Sequence, residues 1–109
     1  PVIGAGTYAS NADGCAVSAT GDGEYFIRAT VARDICARMA TGSTAQAAGQ
    51  AEVDEALALG GSGGVIVMDR QGVPAFAMTT SGMYRGAVSG TGPAGVAIYA
   101  DESVVPADY

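Results

Sequence analysis

The fold of this chain depends on residues 18–28, whose sequence is SATGDGEYFIR. Residues 15–20 have small side chains that suit a strand packed closely on both faces, and helical spacing begins at Glu24. Gly21 and Gly23 lie between these segments, where the backbone turns sharply or comes close to another group. The N–H groups of such a strand-to-helix junction lack backbone partners, so they are available to a negatively charged ligand.

Two hydrogen-bond donors meet at this junction. The Thr20 hydroxyl and the Gly21 N–H form the arrangement of an oxyanion hole, in which donors face the charge that develops during acyl transfer. The structural alternative is that both glycines shape a loop and Thr20 begins a helix, because these residue types are common at helix starts. Phosphate binding is disfavoured, since Phe26 stands where a dinucleotide motif needs its third glycine and the chain has no lysine for a P-loop.

The composition indicates that the chain depends on a partner for its core. The 109 residues suffice for one domain and 49% are hydrophobic, but alanine dominates, with 2 phenylalanines and no tryptophan. A buried Leu or Phe contributes roughly 1.5 to 3 kcal/mol, whereas ordering each residue costs about 1 to 2 kcal/mol of backbone entropy. The strands are therefore expected to bury both faces against another polypeptide.

Charge and cysteine content exclude several classes of partner. Eleven acidic residues against five basic ones give a net charge of -6, so nucleic acid and anionic membranes are disfavoured. No apolar run is long enough to span a bilayer. The chain has no histidine, so neither a metal site nor a cofactor is expected. Cys15 and Cys36 have small apolar neighbours, which favours buried free thiols over a disulfide.

Periodicity and turn residues predict alternating strands and helices. Strands are expected at residues 4–9, 15–20, 65–69, 73–79 and 96–100, and helices at residues 24–40 and 44–59. Ser43 and Gln46 form a capping box for the second helix, and Pro74 requires an edge or a bulge in its strand. Residues 11–14, 70–72 and 90–93 are expected to turn, and the tail from Asp101 to be loose.

Two further segments have both a structural and a functional interpretation. The glycine run at residues 60–64 could hold an anion, but glycine also ends helices and permits close backbone approach, which is the favoured interpretation here. Residues 83–85, Met-Tyr-Arg, either line a pocket or pack against the rest of the chain.

Four blocks of the sequence together resemble a known family. In chain order they are residues 1–9 (PVIGAGTYA), 19–28 (ATGDGEYFIR), 60–66 (GGSGGVI) and 80–85 (TSGMYR). They resemble the nucleophile-bearing subunit of plant-type L-asparaginases, the isoaspartyl peptidases of the N-terminal nucleophile hydrolase superfamily. The resemblance implies an α+β fold, namely a four-layer αββα sandwich of which this chain forms a part.

The same resemblance implies that the nucleophile lies outside this chain. In that family the subunit opens with a threonine that is both nucleophile and base, and a segment ending Gly-Arg-Val-Gly-Asp-Ser-Pro holds the substrate. This chain is expected to begin at the last residue of that segment, so that residues 1–109 form a single partial domain. Pro1 has no hydroxyl, and the internal threonines have no free amine to activate them.

By motif match, three of the junction residues receive a role in amide hydrolysis. The resemblance implies that Thr20 and Gly21 hold the oxyanion and that Gly23 lines the substrate pocket, while Asp22 has no role. The reaction would cleave the side-chain amide of L-asparagine or a β-aspartyl peptide bond. The expected partners are an α subunit and the upstream part of the β subunit, assembled as (αβ)2, and the expected location is cytoplasmic.

Two alternative functions remain open. A glycosylasparaginase would act on glycosylated asparagine, although those relatives tend to carry Asp where this chain has Glu24. The second alternative is a structural or binding subunit that has the fold without the chemistry.

Overall fold

A computed structural model describes residues 1–90 and 92–106, which form two compact units, Pro1–Thr79 and Thr80–Tyr109. Thr91, in the predicted turn at residues 90–93, and residues 107–109 of the predicted tail lie outside the described residues. The described part of the chain contains no helix with the length and apolar composition needed to cross a bilayer.

The first unit combines one antiparallel sheet with three helices, as a mixed α/β fold. Its four strands lie in the order β1-β2-β3-β4. In chain order the elements are β1 (Thr7–Ser10), β2 (Cys15–Gly21), α1 (Gly23–Ala29), α2 (Val31–Ala40), α3 (Ala45–Leu59), β3 (Gly63–Met68) and β4 (Pro74–Met78). Pro74 begins β4, an edge strand of this described sheet, as predicted from its missing N–H.

The core of this unit lies between one face of the sheet and the helices α2 and α3. Alternate strand residues such as Val17, Val65 and Val67 point to this face and are buried against Ile35 and Val53. The opposite sheet face carries the intervening residues and is partly exposed, with Ile66 at 36% and Met68 at 39% exposure. One face of the sheet is therefore covered by helices, and the other presents apolar side chains.

The predicted helix over residues 24–40 is interrupted at Thr30, and the single-helix prediction is wrong. Thr30 adopts left-handed geometry with φ of 52° and ψ of 49°. The N–H groups of Ala32 and Arg33 at the start of α2 donate to the carbonyls of Ala5 at 3.1 Å and Gly4 at 2.8 Å. A new helix can begin there because the amino-terminal segment accepts hydrogen bonds from its first N–H groups.

A disulfide joins Cys15 in β2 to Cys36 in α2, so the prediction of free thiols is wrong. The two Cα atoms are 5.6 Å apart, and the residues are 6% and 0% exposed. The bond closes a loop over a sequence separation of 21 residues, which corresponds to roughly 3 kcal/mol of chain entropy in the unfolded state. The small neighbours of the cysteines predicted burial correctly but not pairing, because the pairing depends on how α2 packs on the sheet.

The start of α3 also differs from the prediction. Thr44, rather than Ser43, is the N-cap, and its hydroxyl accepts a hydrogen bond from the Ala47 N–H at 3.1 Å. Gln46 does not close a capping box; its side-chain amide donates to the Phe76 carbonyl of β4 at 2.9 Å. The glutamine is thus used to join the helix to the edge strand.

The second unit is a small antiparallel sheet of β5 (Gly82–Ala87), β6 (Gly95–Tyr99) and β7 (Val105–Pro106). β5 was not predicted, because its sequence GMYRGA lacks the apolar alternation of a half-buried strand. The Arg85 guanidinium is buried and donates to the carbonyls of Met83, Ile98, Tyr99 and Glu102.

Part of the tail predicted to be loose is anchored to this sheet. The Glu102 carboxylate accepts hydrogen bonds from the N–H groups of Ile98 and Tyr99, and β7 pairs with β6. Residues 83–85 were expected either to line a pocket or to pack against the rest of the chain, and Arg85 packs against it. Met83 and Tyr84 line a surface cavity of about 270 Å³, and Tyr84 is 85% exposed.

Candidate functional site

The three predicted site residues line one cavity at the end of β2. Thr20, Gly21 and Gly23 form one wall of a cavity of about 330 Å³, and residues of the amino-terminal segment such as Pro1, Val2 and Gly6 form another. Phe26 and Ile27 of α1 complete the apolar part of the lining. The strand-to-helix junction therefore opens onto a space large enough for a small ligand.

The hydrogen-bond pattern of β2 fixes the direction of the Gly21 N–H. On one side of Gly21, the Ala19 N–H donates to the Gly6 carbonyl at 2.9 Å; on the other side, the Asp22 N–H donates to the Ser62 carbonyl at 3.0 Å. Because successive N–H groups of a strand point to opposite edges, the Gly21 N–H points away from β3, towards the amino-terminal segment. No carbonyl of the described residues accepts it there.

Thr20 places its side chain on the partly exposed face of the sheet, next to this N–H. Side chains alternate along β2, so Thr20 shares its face with Ser18, and both residues are exposed. The Thr20 hydroxyl makes no hydrogen bond to the described part of the chain. Thr20 and Gly21 are adjacent in the chain and both line the same cavity.

The glycines of the junction and of the 60–64 run permit close backbone approach. A Cβ on Gly21 would collide with the Ser62 carbonyl, and a Cβ on Gly63 would collide with the Thr20 carbonyl. Gly60 ends α3 with φ of 116°, and a Cβ on Gly61 would collide with the Tyr25 ring. The favoured structural interpretation of the 60–64 run is therefore correct, and Gly21 belongs to the same close contact.

Gly23 differs from these glycines because the space around it is open. A Cβ built on Gly23 would meet no heavy atom within 4 Å. The backbone there does not require glycine for steric reasons, so the missing side chain leaves room in the cavity.

Asp22 has no predicted role, yet it makes the main polar contact of the junction. Its carboxylate oxygen Oδ2 accepts a hydrogen bond from the Ser62 N–H at 2.9 Å and lies 3.5 Å from the Ser62 hydroxyl. The two residues are 40 positions apart in the chain. A local motif could not reveal this contact, because it depends on the pairing of β2 with β3.

A second polar cluster lies between α2 and α3, on residues that do not line the cavity. Glu52 is fully buried, and its Oε2 accepts a hydrogen bond from the Arg38 Nε at 2.7 Å. Burial raises the pKa of Glu52 to about 8, and the neighbouring Asp34 carboxylate also favours the protonated form of Glu52. Carboxylate oxygens of Asp34, Glu52 and Glu55 lie within 4.8 Å of one another, and the Arg38 guanidinium is the cation that contacts all three.

Comparison with known proteins assigns the family. A family model described as Asparaginase matches residues 1–98 of the chain. This chain belongs to the asparaginase family. The family expected from the four sequence blocks is therefore confirmed, and residues 18–28 lie inside the matched region.

Curated members of the asparaginase family are similar over most of this chain. An isoaspartyl peptidase of Escherichia coli K12 is 51% identical over 87 residues, which cover 78% of this chain and 27% of the relative. A putative isoaspartyl peptidase/L-asparaginase of Dictyostelium discoideum is 46% identical over 89 residues, 81% of this chain and 25% of the relative. A probable isoaspartyl peptidase/L-asparaginase 2 of Arabidopsis thaliana is 41% identical over 100 residues, which cover 91% of this chain and 30% of the relative. The chain spans about a quarter of the length of these asparaginase-family relatives.

Proposed function

We propose that this chain is the later part of the catalytic β subunit of an amidohydrolase that cleaves the side-chain amide of L-asparagine and β-aspartyl peptide bonds. The observation that carries the proposal is the cavity shared by Thr20, Gly21 and Gly23, together with a Thr20 hydroxyl and a Gly21 N–H that have no acceptor among the described residues. The printed names of the relatives, isoaspartyl peptidase and L-asparaginase, supply the reaction class.

In the proposed mechanism, a threonine outside this chain attacks the side-chain carbonyl carbon, and its own α-amine accepts the hydroxyl proton. The Thr20 hydroxyl and the Gly21 N–H donate hydrogen bonds to the oxygen that becomes negative in the tetrahedral intermediate. The threonine α-ammonium then passes this proton to the leaving nitrogen, so that collapse of the intermediate expels ammonia or the amine of the peptide and leaves a β-aspartyl ester on the threonine. Water then hydrolyses the ester, and the same two donors hold the second oxyanion.

Gly23 has a separate part in this proposal. It begins α1 at the wall of the cavity, and its lack of a side chain leaves space for the substrate. No metal or cofactor enters any step of the proposed reaction.

The assembly that we propose is a four-layer αββα sandwich, with residues 1–109 as one partial domain of it. Its support is the sheet of the first unit, which has helices on one face and the side chains of Ile66 and Met68 exposed on the other. A second sheet from the upstream β segment or the α subunit would cover this apolar face. The proposed complex contains two copies of each subunit.

A cytoplasmic location also stays a prediction. The Cys15–Cys36 disulfide weighs against it, because disulfides are rare in cytosolic proteins. Cell fractionation, with alkylation of free thiols at lysis, measures both the location and the oxidation state of the pair.

The two alternatives predict different results. A glycosylasparaginase would prefer glycosylated asparagine as its substrate, and a structural or binding subunit would hydrolyse none of these compounds. Glu24 and the names of the relatives favour the isoaspartyl peptidase. The full complex should be assayed with asparagine, a β-aspartyl dipeptide and N-glycosylated asparagine. Turnover of the first two supports the proposal, preference for the third would replace it with a glycosylasparaginase, and absence of all turnover would leave the structural subunit.

The role of Thr20 is tested in the same complex. Thr20→Ala should lower kcat by about 10² to 10³, the range for loss of one oxyanion donor, whereas Thr20→Ser should retain most activity. Thr41→Ala is the matched control, because within the part of the chain that the structure describes the Thr41 hydroxyl donates only to carbonyls at the end of its own helix. An effect of Thr20→Ala no larger than that of the control would remove Thr20 from the mechanism.

A further inference from the structure

Asp22 lies at the point where the chain leaves the sheet and begins a helix. It follows Gly21, the last residue of β2, and is the N-cap of α1. Its carbonyl accepts hydrogen bonds from the N–H groups of Tyr25 at 3.1 Å and Phe26 at 3.5 Å. Its side chain makes no capping bond to α1 and instead contacts Ser62 before β3.

The Asp22 carboxylate takes the place of a main-chain carbonyl in the β2–β3 ladder. Directly opposed residues of a hydrogen-bonded antiparallel pair exchange two N–H···O bonds. The Asp22 N–H makes the first of these bonds, to the Ser62 carbonyl at 3.0 Å. The Asp22 carbonyl cannot accept the second because it already serves α1, and the Ser62 N–H donates to Oδ2 at 2.9 Å instead.

The hydrogen bond from the Ser62 N–H to the Asp22 carboxylate extends the pairing of β2 with β3 by one residue beyond Gly21. Thr20 pairs with Gly64 on one side of Gly21, and Asp22 holds Ser62 by two bonds on the other. Gly21 itself has φ of 139° and lies so close to the Ser62 carbonyl that no Cβ would fit. The backbone on both sides of the Gly21 N–H is therefore held against the segment that precedes β3.

We propose that Asp22 is a positioning residue, which acts through Ser62 to keep the Gly21 N–H directed into the cavity. The proposal rests on the function proposed above, since the direction of this N–H matters for rate only if it donates to an oxyanion. Such donors act on the transition state when they are held in place before the reaction, and small misplacements are costly. Asp22 would thus influence the chemical step without touching the substrate.

The test compares Asp22→Ala and Asp22→Asn in the assembled enzyme. Alanine removes the acceptor for the Ser62 N–H, whereas asparagine keeps an oxygen in the same place and removes only the charge. Asp22→Ala should lower kcat on the order of 10- to 100-fold and leave KM within about twofold, because the misplaced donor affects the transition state rather than substrate binding. Asp22→Asn should restore most of the lost kcat.

The matched control is Asp54→Ala. Asp54 is also exposed, and its carboxylate also accepts a hydrogen bond, from Gln50 within α3, but it does not line the cavity. The kcat and KM of the Asp54→Ala variant should stay at the values of the unmodified enzyme. Thermal unfolding of all variants shows whether a loss of kcat merely follows a loss of folded protein.

The outcomes separate this inference from the proposed function. If the unmodified enzyme hydrolyses asparagine and Asp22→Ala retains its kcat, the positioning role is wrong and the function stands. A loss in Asp22→Ala that asparagine does not rescue, or that is proportional to a lower melting temperature, would also overturn the role. An unmodified enzyme without turnover would overturn the proposed function, and the role of Asp22 with it.

Discussion

Replacement of Glu52 by glutamine should change how stability depends on pH. Glu52 is completely buried between α2 and α3, and its pKa is raised to about 8, chiefly because burial disfavours the charged carboxylate. In the unfolded chain the pKa of Glu52 returns to its ordinary value of 4.5. Between these two values the folded state keeps a proton that the unfolded state has lost.

The sign and size of the effect follow from this difference in proton binding. The stabilisation from protonated Glu52 is fully present below pH 4.5 and is lost as the pH rises to about 8. One proton corresponds to a slope of at most about 1.4 kcal/mol per pH unit. Since glutamine does not titrate, Glu52→Gln should remove this slope and leave the contributions of all other groups unchanged.

The assay is the melting temperature, from pH 5 to pH 9, of the proposed complex with the unmodified chain and with Glu52→Gln. The melting temperature of the unmodified enzyme should fall more steeply with pH, so that the two curves converge or cross towards pH 8. Glu55→Gln is the matched control, because Glu55 lies near the same arginine but has a half-exposed side chain. Parallel curves for the enzyme and Glu52→Gln would show that Glu52 is ionised throughout this range and would refute the reasoning.

Two further predictions concern the disulfide and the cavity. Reduction of the Cys15–Cys36 bond, or Cys36→Ser, should lower stability by roughly 3 kcal/mol, as measured by unfolding with and without reductant; equal stability in both conditions would contradict the cross-link. Gly23→Ala should raise KM by on the order of tenfold, since one methyl group in a pocket is worth about 1 to 3 kcal/mol. Its melting temperature should not fall, because the new Cβ meets no atom within 4 Å; an unchanged KM would show that the substrate does not approach Gly23.

The junction of β2 and α1 could be predicted from sequence because its signals are local. Small residues, two glycines and the onset of helical spacing lie within a few positions of one another, and the structure has β2 end at Gly21 and α1 begin at Gly23. The turn at residues 11–14 and the edge position of Pro74 were predictable for the same reason. Thr20, Gly21 and Gly23 line one cavity because this local turn brings them together.

The features that the sequence did not reveal depend on contacts between distant segments. The helix break at Thr30 needs acceptors from Gly4 and Ala5, and the burial of Arg85 needs carbonyls from β6 and the segment after it. The disulfide needs α2 to lie against β2 with Cys36 facing the sheet. None of these arrangements follows from propensity or spacing, because each satisfies hydrogen-bonding or packing requirements that arise only once the chain has folded.

The two ends of β2 are fastened in different ways, and together they determine its register. Cys15 at one end is covalently joined to α2, while at the other end the Asp22–Ser62 pair continues the ladder beyond Gly21. A slip of one residue along β3 would turn Val17 out of the core. A slip of two residues would keep the apolar side chains on the core face but would move the whole of β2 along β3. The cross-link opposes this slip because it holds Cys15 beside α2. The disulfide therefore sets the position of β2 along the sheet as well as stabilising the fold. This position determines where Thr20 and Gly21 lie relative to the cavity.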